Sequence, residues 1–145
     1  MKSMTRCLPV LLLLGAGPVL GAGDAVRGAA AFQACASCHF VKVGTHLTGP
    51  SLANVWQHKA AAVPGFARYS EAIKRSNILW NDDALDKWLT NPDALVPETS
   101  MTFAGIADRS MRQDVIAYLK SVAEGKAPAV PQRRGGMMAE PTRPN

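Results

Sequence analysis

Residues 35–39 read Cys-Ala-Ser-Cys-His, and no other feature of the 145-residue chain constrains it as tightly. Two thiols three residues apart on one turn of helix have the right separation to add to the two vinyl groups of one porphyrin. The adjacent His39 then falls beneath the metal as a proximal ligand. The competing uses of such a pair need partners that are missing. A zinc knuckle needs four nitrogen or sulfur ligands. His46 and His58 could complete a set on paper, but there is no second cysteine pair. A thioredoxin-like redox pair wants a βαβ context, and a disulfide between residues three apart on a helix is a poor clamp. The motif therefore predicts one haem c, covalent through Cys35 and Cys38, with His39 on the iron.

An iron held by one imidazole needs a sixth ligand unless the site is open. A methionine thioether is soft and neutral, so it favours the reduced metal and raises the potential. Of six methionines, Met1 and Met4 lie in the N-terminal segment and Met137 and Met138 near the C-terminus, where ordering a ligand would cost entropy. Met111 falls on the apolar face of a predicted helix and is expected to pack in the core. Met101 stands in the loop PETSMTFAGI, with no apolar helix to pack into, and is the favoured candidate.

The two ends are expected to lie outside the fold. Residues 1–23 place Lys2 and Arg6 before an apolar run from Cys7 to Leu20 and then small residues, the order of a secretory signal peptide. The run falls short of the about 20 apolar residues a membrane span needs, and Pro9 and Pro18 interrupt it. Residues 126–145 hold four of the ten prolines and no periodic apolar pattern, which predicts a flexible tail. The formal charge of +5 at first suggests an acidic partner such as nucleic acid. It does not survive this partition: residues 24–125 carry ten basic and ten acidic side chains. The body is a near-neutral module, with no nucleic-acid partner expected.

Within 24–125 the spacing predicts an all-α domain of three main helices and a short one. The first spans about Asp24 to Cys38, with Gly28 and Phe32 on one face. The second, about Asp82 to Asn91, follows an Asn-Asp cap, sets Leu85, Trp88 and Leu89 on one side, and stops at Asn91-Pro92. The third, about Ser110 to Ala123, carries Met111, Val115, Tyr118, Leu119 and Val122 at three-and-four spacing and ends at Gly125. A shorter helix is predicted near Ser70 to Lys74. Three helices joined by long loops make a thin core for this size, leaving room for a prosthetic group at the centre.

With this motif in place, the body resembles class I c-type cytochromes, the family of mitochondrial cytochrome c and its exported bacterial relatives. The segments that carry the likeness are GDAVRGAAAFQACASCH, TGPSL, PGFARYSEA, the stretch from Trp80 to Pro92, PETSMTFAGI and RQDVIAYLKSV. The resemblance implies a cytochrome c fold, with long loops wrapped around one covalently bound haem. It also implies His39 and Met101 as axial ligands. Pro50 would offer its carbonyl to the His39 Nδ1 proton, which orients the imidazole and strengthens it as a donor. Tyr69 and Trp80 match donors to a haem propionate, Thr99 a hydroxyl that supports the methionine loop. Gly28 and Phe32 would meet Val115 and Tyr118 where the first and last helices cross.

The chain departs from the family at three places. His58 stands where an arginine is common near a propionate, so the potential is expected to vary with pH, because imidazole titrates near neutrality. Trp88 and Ile73 replace a tyrosine and an asparagine near the methionine sulfur. Ala34, Asp93, Ala94, Ser100, Ala107 and Asp108 occupy positions of the mitochondrial lysine ring, so docking should depend only weakly on salt.

The resemblance implies a soluble monomeric electron carrier rather than an enzyme, periplasmic after removal of its signal peptide. Its partners would be redox proteins: a dehydrogenase or cytochrome complex as donor, and a terminal oxidase or another haem protein as acceptor. Contact with membrane-bound complexes would be transient. Two other readings stand beside it. One is a haem sensor or peroxidase-like protein with a displaceable methionine; the other is an electron-entry subunit of a larger redox complex.

Overall fold

The computed structural model describes residues 23–129, and within them five helices and no strand. The predicted signal peptide, apart from Gly23, and the predicted tail beyond residue 129 lie outside the described residues. Each of the four longer helices begins on a polar side chain that accepts the first free backbone N–H groups. Asp24 caps α1 (Ala25–Ala31), accepting from Val26 and Arg27 at 2.8 and 2.9 Å. Ser70 caps α2 (Glu71–Arg75), Asn81 caps α3 (Asp82–Thr90), and Asp108 caps α5 (Arg109–Ala123).

Two departures from the sequence reading concern helix ends. The first helix does not run to Cys38 as α-helix. It stops at Ala31, tightens into a 3-10 turn over Phe32–Ala34, and passes through Cys35 to Cys38 as turns. Bonds of 2.8 Å from Cys35 N to Phe32 O and 2.9 Å from His39 N to Cys35 O keep the winding but change its pitch. The second helix does stop at Asn91, but the same residue opens another. Its side chain accepts from Ala94 N at 3.2 Å and Pro92 takes the first position of α4 (Pro92–Leu95). Proline costs nothing there, because that N–H would have no helical partner anyway.

The helices assemble on the crossing of α1 over α5. A Cβ on Gly28 would lie 1.9 Å from the Asp114 carbonyl oxygen and 2.8 Å from Tyr118 Cβ, so only glycine lets the two backbones approach this closely. Phe32 and Tyr118 meet beside it with ring centroids 5.2 Å apart. Asp114, itself buried, closes the crossing by accepting from Asp24 N at 2.6 Å and from Arg27 Nε and Nη2 at 2.7 and 2.8 Å. The Arg27 hydrogen bonds hold the Asp114 carboxyl below the usual carboxylate range; burial opposes them and the Asp24 N–H assists. Val115, Ile116, Tyr118 and Leu119 of α5 and Leu85 and Leu89 of α3 are buried with Phe32. Met111, expected in this core, is 47% exposed. It sits in the first turn of α5, before the crossing.

Helix α5 ends in a Schellman closure: Gly125, at φ 68°, bonds to Val122 O at 3.0 Å and Lys126 N to Ser121 O at 2.8 Å. The loops are held by their own ladders. Residues 57–60 pair antiparallel with 78–80, through bonds of 2.8 Å from Gln57 N to Trp80 O and 2.9 Å from Trp80 N to His58 O. The 96–108 loop is drawn onto α3 by Ile106 N, which bonds Leu89 O at 2.7 Å. Among the described residues no helix is long and apolar enough to cross a membrane.

Candidate cofactor site

A cavity of about 360 Å³ lies inside this frame, within the size range of cofactor sites. All ten residues singled out in the sequence line it. On one side are Cys35, Cys38, His39 and Pro50, and from the 96–108 loop come Thr99 and Met101. His58, Tyr69, Trp80 and Trp88 complete the set.

His39 is fixed from two directions. Its Nδ1 lies 2.8 Å from the Pro50 carbonyl. A carbonyl can only accept, so the proton is on Nδ1 and the Nε2 lone pair is left free. Burial pushes the imidazole pKa down and the Pro50 bond partly offsets this, so the ring is a neutral donor of the kind a metal takes. Gly49 leaves the ring its space: a Cβ there would sit 2.3 Å from Cε1 and 2.7 Å from Nδ1. Gly49 N also bonds to Cys38 O at 2.8 Å, tying this support to the cysteine turn.

The two cysteines are not disulfide-linked, and Cys38 is exposed while Cys35 is half-buried. Burial, with Cys38 adding to it, pushes the Cys35 thiol up. A redox or metal-binding cysteine needs the reverse shift. Among the described residues no three His, Cys, Asp or Glu side chains are grouped to hold a metal ion, so the zinc alternative lacks its ligands.

Met101 is half-buried on the cavity wall, and its N–H donates to Thr99 Oγ1 at 3.4 Å. Trp80 and Trp88 pack edge to face with centroids 5.3 Å apart, and buried Ile73 fills the wall near them. Tyr69 stands edge-on to Phe66 at 4.8 Å. Burial raises its phenol pKa, against a weaker backbone bond with Val63, so it remains a proton donor. His58 is exposed at the rim, with Nδ1 3.1 Å from the Trp56 carbonyl.

Two residues that sequence reasoning left out, and His46, which it weighed only as a zinc ligand, also shape the site. Lys59 and Arg68 line the cavity, and no aspartate or glutamate does. Arg68 donates from Nη2 to the carbonyls of Leu47 and, at 3.5 Å, Thr48, and its guanidinium stands 5.1 Å over the Phe66 ring. His46 joins two loops: Nδ1 accepts from Ser51 N at 3.1 Å, so Nε2 carries the proton it donates to Pro64 O at 3.1 Å. No local pattern marks the Arg68 bonds or the His46–Pro64 bond, because each joins loops about twenty residues apart.

Apolar walls, two thiols at one edge, an imidazole with a free lone pair, a thioether and a rim of basic groups fit a porphyrin that carries two carboxylates. The class these features define is the monohaem c-type protein. Comparison with known proteins agrees. The family model described as cytochrome c matches residues 25–123. Cytochrome c of Euglena viridis is 44% identical over 103 residues, covering 70% of this chain and 100% of that protein. Cytochrome c2 of Rhodomicrobium vannielii is 40% identical over 123 residues, covering 82% of this chain and 95% of the relative. Among solved structures, cytochrome cH from Methylobacterium extorquens superposes with a TM-score of 0.64 at 40% identity, over 68% of this chain and 99% of that one. The chain belongs to the cytochrome c family. Its role is therefore haem-based electron transfer, with one haem c attached through the Cys35 and Cys38 pair.

Proposed function

We propose that the protein is an exported, monomeric electron carrier whose haem iron is held by His39 and Met101. The observation that carries this reading is the Nδ1–Pro50 bond of 2.8 Å, which turns the His39 lone pair away from the backbone and into a cavity that Met101 also lines. When bound, the haem supplies a one-electron ferric–ferrous couple. The chain's own groups do the rest. Pro50 and Gly49 hold the imidazole so that it need not reorient as the metal changes charge. Thr99 steadies the backbone of Met101, and the apolar wall of Trp80, Trp88 and Ile73 keeps water from the metal. If His39 and Met101 both held the iron, no open position would be left for a substrate, so the reading is a carrier and not an enzyme.

Export follows from the signal-like order of residues 1–23, and residues 24–125 form the haem domain of this reading. The redox partners would dock at a rim where Ala34, Ser100 and Thr102 are exposed and uncharged. Pro50, Tyr69, Trp80, Trp88 and Thr99 hold the cofactor, with His58 at its carboxylate end. The deciding experiment is a redox-titrated spectrum of the mature protein purified from an exporting host. The expected result is one porphyrin per chain that survives denaturation and a single one-electron transition, with a methionine-to-iron charge-transfer band in the ferric form. A missing band, with ready carbon monoxide binding by the ferrous form, would instead select the sensor or peroxidase-like alternative.

A further inference from the structure

We infer that Arg68 supplies the fixed positive charge that balances the carboxylates of the bound haem and thereby helps to set its potential; this rests on the haem reading above. Placing two carboxylates against a cavity with apolar walls is costly unless cations meet them. The formally charged side chains lining this cavity, Lys59 and Arg68, are both basic. Most basic groups elsewhere in the described chain are already paired with a carboxylate: Arg27, Lys74, Lys87, Arg112 and Lys120 each have an acidic partner within 3.2 Å. Arg68 has none among the described residues, although it borders the cavity.

Its guanidinium is exposed and tethered at one end, and its donors are only partly used. Both of its hydrogen bonds leave from Nη2, to the neutral carbonyls of Leu47 and Thr48. A guanidinium has five N–H donors in a rigid fork, so Nε and Nη1 remain for an acceptor from outside the protein. The Phe66 ring beneath the guanidinium, 5.1 Å away, holds it at the rim without neutralising it. His58 is a weaker candidate, because its Nδ1 is bonded to the Trp56 carbonyl, two residues away, and it offers no fork of donors. Arg68 is thus a positioning residue. It does not touch the iron, and it acts through the carboxylates and through the loop that carries Gly49 and Pro50.

The test compares the holoproteins of wild type, Arg68→Gln, Arg68→Lys and His58→Ala by midpoint potential across pH 5 to 8, with a thermal melt of each. Removing a cation beside the haem favours the more positive ferric form. Arg68→Gln should therefore lower the potential, reducing the ratio of ferrous to ferric protein at fixed electrode poise by about fivefold. The offset should be the same across the range, although His46, His58, Lys59 and Tyr69 all face this corner. Arg68→Lys should restore most of the potential even where it does not restore the melting temperature. Haem-loaded Arg68→Gln with an unchanged potential overturns the proposal. So does an Arg68→Lys variant as low in potential as the glutamine variant, or one that fails to mature, since either shows a structural role alone. A shift confined to His58→Ala would assign the charge to His58 instead. Wild-type chain that acquires no covalent porphyrin overturns the haem reading itself, a distinguishable result.

Discussion

Replacing Gly49 with alanine is the sharpest test of how the proximal side is built. The new Cβ would stand 2.3 Å from His39 Cε1, 2.7 Å from Nδ1 and 2.8 Å from Nε2. Carbon atoms in contact settle at about 3.5–4.0 Å, so the ring must retreat by roughly 1 Å or the loop must move by as much. The ring cannot retreat freely, because Nδ1 is held 2.8 Å from Pro50 O, one residue beyond the substitution. A shift of that size takes the bond out of hydrogen-bonding range and forfeits about 1 kcal/mol. Overpacking adds about 1–3 kcal/mol, for a total of about 2–4 kcal/mol. In a domain of this length that lowers the melting temperature by roughly 8–16 °C. The Gly44→Ala variant is the control: Gly44 has φ 71° but nothing within 4 Å of a Cβ, so it suffers backbone strain of about 1 kcal/mol without touching the imidazole. Thermal melts of both holoproteins, read together with the midpoint potential, separate the two causes. Gly49→Ala should also raise the potential, because an imidazole with a weakened Nδ1 bond is a poorer donor to ferric iron. If Gly49→Ala melts within a degree or two of wild type and keeps its potential, the ring is not confined as described.

Two further perturbations test the frame around the site. Gly28→Ala places a methyl group 1.9 Å from the Asp114 carbonyl oxygen, where backbone faces backbone and no side chain can swing aside; a loss of about 3 kcal/mol is expected in urea unfolding, and a loss below about 1 kcal/mol would contradict the close crossing. Asp114, whose carboxyl is held low chiefly by Arg27, gives stability that is full above the unfolded aspartate pKa and is lost as pH falls through the lower folded value. Urea midpoints measured from pH 5 downward should therefore fall more steeply in wild type than in Asp114→Asn, and equal slopes would rule the linkage out.

How far the sequence could be read depended on how local each feature is. The haem motif was legible because covalent attachment needs its groups contiguous, and Cys35, Cys38 and His39 occupy one turn. Helices α3 and α5 were legible because their signals lie within each segment: Asn81 caps α3 as expected, Gly125 ends α5, and Leu85, Leu89, Val115 and Tyr118 are buried at their expected spacing. The pitch change after Ala31 was not legible, since Ala-rich sequence suits a continuing helix and the tightening is set by where the cysteines must face. Met111 was misplaced for a related reason: periodicity marks a face of α5 but not where α1 stops covering it. Helix α4 hid behind Asn91-Pro92, a pair that ends one helix and begins the next in the same two residues.

Charge shows the limit most clearly. The +5 of the whole chain vanishes over residues 24–125, yet the charged groups lining the cavity are all of one sign. Counting residues along the sequence cannot separate these two facts. Arg27, Arg112 and Lys120 are paired across helix contacts, while Lys59 and Arg68 are left at the rim, and that division exists only once the chain is folded. Arg68 reaches Leu47 and Thr48 across about twenty residues of loop, and His46 joins Ser51 to Pro64 beside it. One corner of the fold thus combines the cations with the tethers of the loop that supports His39. The charge that meets the haem carboxylates and the geometry of the iron ligand are coupled through that corner. A change at Arg68 should reach both, and Arg68→Lys divides them by keeping the charge while losing the fork.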